Sequence, residues 1–158
     1  MKNRILVTGG CGFIGHHMVE YLLNTTDDEI VILDRLDISG NLNRLTEIDS
    51  WEKNKNRVTF VWHDLKSECH NNEILKSTIG KINIVLHMGA SSHVDRSIEN
   101  PLLFVMDNVV GTCNILNFAR QQDNLENFVY FSTDEVFGPA PDGVNYKEND
   151  RYNSGNPY

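Results

Sequence analysis

The sequence predicts an α/β protein built on a doubly wound parallel sheet. Three observations predict it. A glycine-rich turn joins a strand-like segment to a helix-like one near the N-terminus. An apolar strand ending in an acid follows about 20 residues later, and strand and helix patterns keep alternating to residue 132. Parallel strands need crossover connections, which helices supply on both faces of the sheet.

In chain order, residues 4–8 (RILVT) form the first strand. Phe13, Ile14, Met18, Val19, Leu22 and Leu23 then recur at helical spacing, so a helix starts within the glycines. Gly9, Gly12 and Gly15 fit a GxxGxxG register, and Gly10, Gly12 and Gly15 fit GxGxxG. In either register one glycine makes the tight turn, one lets backbone amides reach a pyrophosphate, and one lets the helix pack close to the strand. The free amides at the helix start, around Phe13 and Ile14, then face the phosphates.

The second strand, 30–33, ends in Asp34, where a dinucleotide fold places the carboxylate that accepts hydrogen bonds from the adenosine ribose. The same charge repels a 2′-phosphate, which points to NAD over NADP. A helical candidate at 41–53 leads to a third strand, 58–62, and to His63-Asp64-Leu65, where Asp64 is a partner for the adenine amino group. A helix at 71–79 and a fourth strand at 82–87 follow. Gly89 and Ala90 then let backbone pass close to a cofactor. Of the mostly polar residues after them, Ser91 stays with the cofactor, and Ser92, His93, Val94 and Asp95 either line a substrate pocket or form a helix-capping loop. A helix at 101–121, interrupted by Gly111, precedes the fifth strand, 128–132.

That strand runs into Ser132-Thr133-Asp134-Glu135. The two carboxylates are solvated loop charges, or a general acid and a general base held at different pKa values. Neighbours on an extended stretch point to opposite sides, so both reach one substrate only if a turn begins at Asp134. Residues 138–158, rich in Pro, Gly and Asn, form a long loop of the kind that is functional or disordered.

Composition sets limits. With 158 residues, 40% of them hydrophobic, there is material for one domain with a core. A net charge of −8 disfavours nucleic acid and anionic membranes as partners, so an anionic ligand must rely on local donors. No apolar run is expected to reach membrane-spanning length, and Met1-Lys2-Asn3-Arg4 enters a strand without a signal peptide, so the expected location is cytoplasmic. Cys11, Cys69 and Cys113 are scattered and odd in number, as reduced thiols are. His16-His17 and Cys69-His70 are adjacent pairs that cannot easily share a ligand face, and no metal is expected.

Several of these motifs together resemble one family: VTGGCGFIG at 7–15, Gly40-Asn41-Leu42, HDL at 63–65, SHVDRS at 92–97, NVVGT at 108–112 and STDEVFG at 132–138. The chain resembles the extended short-chain dehydrogenase/reductases that act on nucleotide sugars, the NAD-dependent epimerase/dehydratase family, and within it the 4,6-dehydratases. The resemblance implies a Rossmann-type domain binding NAD, with Asn108 and Ser132 also at the cofactor, and a nucleotide-diphosphate sugar as substrate. It implies catalysis by Thr133, Asp134, Glu135 and Tyr158, the last being the tyrosine of a YxxxK segment that also contacts the cofactor. The adjacent Asp-Glu pair separates dehydratases from 4-epimerases and decarboxylases of the same fold. Two places depart from the family's usual residues: Ser91 stands where Glu or Gln is usual, and Asp37-Ile38-Ser39 where Thr-Tyr-Ala is more usual. The resemblance further implies that residues 1–158 are the N-terminal part of a longer chain, with the lysine and a substrate domain beyond Tyr158, and that the full protein is a homodimer. A noncatalytic NAD-binding module is the remaining alternative.

Overall fold

The computed structural model describes residues 2–158. Its five strands, β1 (Arg4–Thr8), β2 (Glu29–Asp34), β3 (Val58–Trp62), β4 (Ile84–His87) and β5 (Asn127–Tyr130), form one all-parallel sheet in the order β3-β2-β1-β4-β5. The chain winds outward from β1 in one direction through β3, then returns to lay β4 on its other side. This reversal opens a crevice at the carboxyl ends of β1 and β4, where such sheets bind ligands.

The apolar runs are continuous because both faces are covered. Ile5, Val7, Ile30 and Ile32 point to one face, under α1 (Phe13–Thr25), α2 (Asn43–Thr46) and α3 (Trp51–Asn54). Their neighbours Leu6, Val31, Leu33 and Val85 point to the other, under α4 (Glu73–Ile79) and the C-terminal part of a long helix that supplies Ile115 and Phe118. A short helix α5 (Val94–Glu99) precedes that long one.

Three expectations need correction. The segment 41–53 is not one helix: Leu45 and Ile48 are both buried, and the chain bends between α2 and α3 through turn bonds from Ile48 N to Leu45 O and from Trp51 N to Ile48 O. Asp49 and Ser50 at that bend favour turns over helix interiors. Second, Gly111 interrupts nothing. Pro101–Ala119 is one 19-residue helix comprising α6 (Pro101–Phe104), a π-helical turn (Val105–Val110) and α7 (Gly111–Ala119). Gly111 is small because Leu65 crosses it, its Cβ 3.1 Å from where a Cβ would stand. Third, by length and composition this helix is apolar enough to cross a membrane, contrary to expectation. Here it serves the core, burying Phe104, Ile115, Phe118 and Ala119.

Candidate functional site

A cavity of about 570 Å³ opens at the strand ends, within the ~300–1,000 Å³ usual for small-molecule sites. One wall is the glycine turn. Gly9 has φ +69°, and a Cβ on it would lie 2.8 Å from Gly89 Cα; a Cβ on Gly15 would lie 2.0 Å from the Gly9 carbonyl oxygen. Gly9 makes the turn and Gly15 the close helix approach, as in the GxxGxxG register. Gly10 is small for a different reason, the side chain of Ile32 behind it. Gly12 caps α1 without a side chain, and no acid sits in the first turn. The N–H groups of Phe13, Ile14 and Gly15 therefore lack intrahelical partners and stand on the cavity wall with the helix's positive pole. A phosphate there meets no competing side-chain cap.

Asp34 lies on the same wall, nearly buried. Its Oδ2 accepts from Cys11 N at 2.9 Å and its Oδ1 from Leu36 N at 2.8 Å, and each oxygen keeps a lone pair for a ligand hydroxyl. The second bond holds Leu36 at φ 54°, rare for a residue with a side chain. Asp64 and Leu65 line the cavity as well. Asp64 Oδ1 accepts from Lys66 N, and Leu65 wedges between Gly89 and Gly111. Gly89, Ala90, Ser91 and Ser92 continue the wall.

The next polar residues behave differently. His93 caps α5, its Nδ1 receiving Arg96 N at 3.4 Å, and Val94 and Asp95 form the helix's first turn, off the cavity wall. From His93 onward the helix-capping alternative describes the geometry. Asn108 is likewise engaged elsewhere: Oδ1 accepts from Ser91 N at 2.8 Å and Nδ2 donates to Ser91 O at 2.9 Å. It holds the Ser91 backbone in place, and its neighbour Asp107 reaches the cavity instead.

After β5 a 3₁₀ turn, Asp134–Val136, begins where the acid pair requires one, capped by Thr133 Oγ1, which accepts from Glu135 N at 3.2 Å. Ser132 and Tyr158 line the cavity; Thr133, Asp134 and Glu135 follow Ser132 directly in the chain but are not among the lining residues. Asn156 joins them: its Nδ2 donates to Glu135 at 2.7 Å, and its Oδ1 accepts from Tyr158 N at 3.0 Å. The loop 138–158 is ordered by Phe137, which stacks on Tyr146 and meets Tyr152 edge-on, each with centroids 5.3 Å apart.

The sequence model of the GDP-mannose 4,6 dehydratase family matches residues 6–158. The chain belongs to that family. It is 38% identical over 151 residues to dTDP-glucose 4,6-dehydratase of Salmonella typhimurium, covering 89% of this chain and 40% of that enzyme. Among solved structures it is similar to DesIV, the dTDP-glucose 4,6-dehydratase of Streptomyces venezuelae with NAD bound (TM-score 0.82, 35% identity, 98% of this chain and 47% of that one). It is also similar to the NAD complex of Thermus thermophilus UDP-glucose 4-epimerase (TM-score 0.81, 31% identity, 98% and 46%). The chain thus spans less than half the length of each of these relatives of the family.

Sequence reading missed Arg35, Asp107 and Asn156. Asp107 carried one readable signal, a lone charge in the apolar run Val105-Met106-Asp107-Asn108-Val109-Val110. Arg35 and Asn156 carried none, since their partners lie far away in sequence.

Proposed function

We propose that this chain is the dinucleotide-binding half of an NAD-dependent nucleotide-sugar 4,6-dehydratase acting on an NDP-glucose, dTDP-glucose foremost, with a substrate domain following residue 158. The observation that carries the reading is the turn at Asp134–Val136, which follows cavity-lining Ser132 almost directly and whose Glu135 is tied to cavity-lining Tyr158 through Asn156. The residues present fit NAD: a glycine turn that a Cβ would fill, an uncapped helix N-terminus for the pyrophosphate, and Asp34 for the ribose. Bound there, NAD supplies reversible hydride acceptance.

Each residue then has one task. Tyr158 takes the proton of the sugar 4-hydroxyl, with Thr133 bonding the same oxygen. The 4-ketone acidifies the hydrogen on carbon 5, and Glu135 removes that proton. Asp134 gives a proton to the departing 6-hydroxyl, which leaves as water, and Glu135 returns its proton to carbon 5, while the hydride taken from carbon 4 would be delivered to carbon 6. The 4-epimerase alternative uses the same cofactor wall and tyrosine but leaves Asp134 and Glu135 without a role. A homodimer through the long helix suits its exposed Leu102, Val105, Val109 and Leu116, and a cytoplasmic location suits a cofactor and substrate of this kind.

Substrate deuterated at carbon 4 distinguishes the readings. The full protein is expected to deliver the label to carbon 6 of a 4-keto-6-deoxy product. Label returned to carbon 4 would identify an epimerase and refute the proposal.

A further inference from the structure

Arg35 follows Asp34 directly and lines the same cavity, yet its donors are committed. Nη1 and Nη2 donate to the two oxygens of Asp107 at 2.6 and 2.8 Å; Nε and Nη2 donate to Asp37 at 3.0 and 2.7 Å. The side chain of Asp107 is only 4% exposed, accepts from Ser91 Oγ at 2.6 Å and has Lys66 Nζ at 3.5 Å. Lys66 in turn lies 3.2 Å from Asp64. Burial pushes the Asp107 carboxyl up, but the bonds from Arg35 and Ser91 outweigh it and hold Asp107 below the usual carboxylate range. This corner of the cavity therefore sets two cations among Asp34, Asp37, Asp64 and Asp107. The two family departures, Asp37 and Ser91, belong to the same network.

A dinucleotide whose adenosine ribose bonds Asp34 presents its 2′ position toward this corner. In folds that accept the 2′-phosphorylated coenzyme, a nearby arginine takes the phosphate through paired donors. Arg35 is that residue type in that place, with its fork turned onto carboxylates. We propose that Asp37 and Asp107 are specificity-determining residues: by clamping Arg35 they withhold its guanidinium from a 2′-phosphate, so NADP is refused by a disarmed arginine as well as by the charge of Asp34. The inference rests on the dinucleotide reading above. Arg44, also on the wall, spends Nη1 on the carbonyls of Cys11 and Ser39 and serves as the control position.

Calorimetric titration of the full protein with NAD⁺ and NADP⁺ tests this by binding alone. The wild type is expected to prefer NAD⁺ by about tenfold or more. Asp37→Asn with Asp107→Asn is expected to cut that preference by about tenfold through tighter NADP⁺ binding, as the freed guanidinium forms a charge-assisted hydrogen bond to the 2′-phosphate. Adding Arg35→Gln should restore the wild-type ratio, and adding Arg44→Gln should not. Because Asp107 is buried, Asp37→Asn alone is the variant that leaves the fold unthreatened, with a shift of roughly threefold in the same direction, as for an exposed pair. An unshifted ratio in both variants while NAD⁺ still binds overturns the inference and leaves the dinucleotide reading standing. A rise in NADP⁺ affinity that survives Arg35→Gln also overturns it, and wild-type protein that binds no NAD⁺ refutes the reading beneath it.

Discussion

Thr8 fixes the tautomer of His87. Its Oγ1 accepts from the N–H groups of Met88 and Gly89 at 3.1 and 2.9 Å, which occupies both lone pairs, so its own hydrogen must go to His87 Nδ1, 2.7 Å away. The imidazole proton then sits on Nε2 and bonds Thr112 Oγ1 at 3.0 Å. His87 is a neutral strut joining β1, β4 and α7 beneath the cavity wall, and burial pushes its pKa down from 6.5 to about 4. The unfolded chain takes up this proton first, so stability is full above pH 6.5 and falls as the pH drops toward about 4, by roughly 3 kcal/mol. Asp37 and Asp107 titrate lower, and their contributions are lost only below the ordinary carboxylate value of 3.8, outside this window. Urea unfolding at pH 7 and pH 4.5 should show the loss in the wild type, and a markedly smaller one in His87→Gln. Gly15 gives a second residue-scale prediction. Ala normally stabilises a helix by ~0.5–1 kcal/mol over Gly, but here its Cβ would strike the Gly9 carbonyl oxygen. Gly15→Ala should lower both the melting temperature and NAD⁺ affinity, and a more stable variant would contradict the packing described.

At the scale of elements, the long helix does two jobs in succession. Its π-helical turn aims Asp107 and Asn108 at Arg35 and Ser91, and α7 then buries Ile115 and Phe118 beneath the sheet. Phe118→Ala should cost about 3–5 kcal/mol, read by urea denaturation, as a buried aromatic truncation does. A loss under about 1 kcal/mol would mean that the site collapses or was loosely packed. This helix also shows what sequence pattern can and cannot carry. β1, the glycine turn, α1 and β2 with Asp34 were readable because each rule there is local: a period, a glycine spacing, an acid at a strand end. The π-helical turn left no such period, and Gly111 read as a break because its reason, Leu65, lies on another connection. Arg35 with Asp107, and Glu135 with Asn156, pair across 72 and 21 residues through the folded sheet, beyond any local signal. The turn at Asp134 was readable because neighbouring side chains reach one side of the chain only through a turn.

At the scale of the molecule, the sheet ends in an open edge. Among the described residues β5 pairs only with β4 and leaves Val129 and Tyr130 about half exposed, with Phe131 beside them. Unpaired strand edges with apolar side chains recruit partners, so residues 1–158 expressed alone should self-associate. A monodisperse monomer in analytical ultracentrifugation would contradict this. The elimination proposed for the full protein is probed by Glu135→Gln with NDP-glucose. Oxidation at carbon 4 should proceed while water loss slows by roughly a hundredfold to ten-thousandfold, the usual worth of a general base. Enzyme-bound NADH should then accumulate visibly in its absorbance. Wild-type dehydration rates with no NADH build-up would contradict the role given to Glu135 and the function built on it.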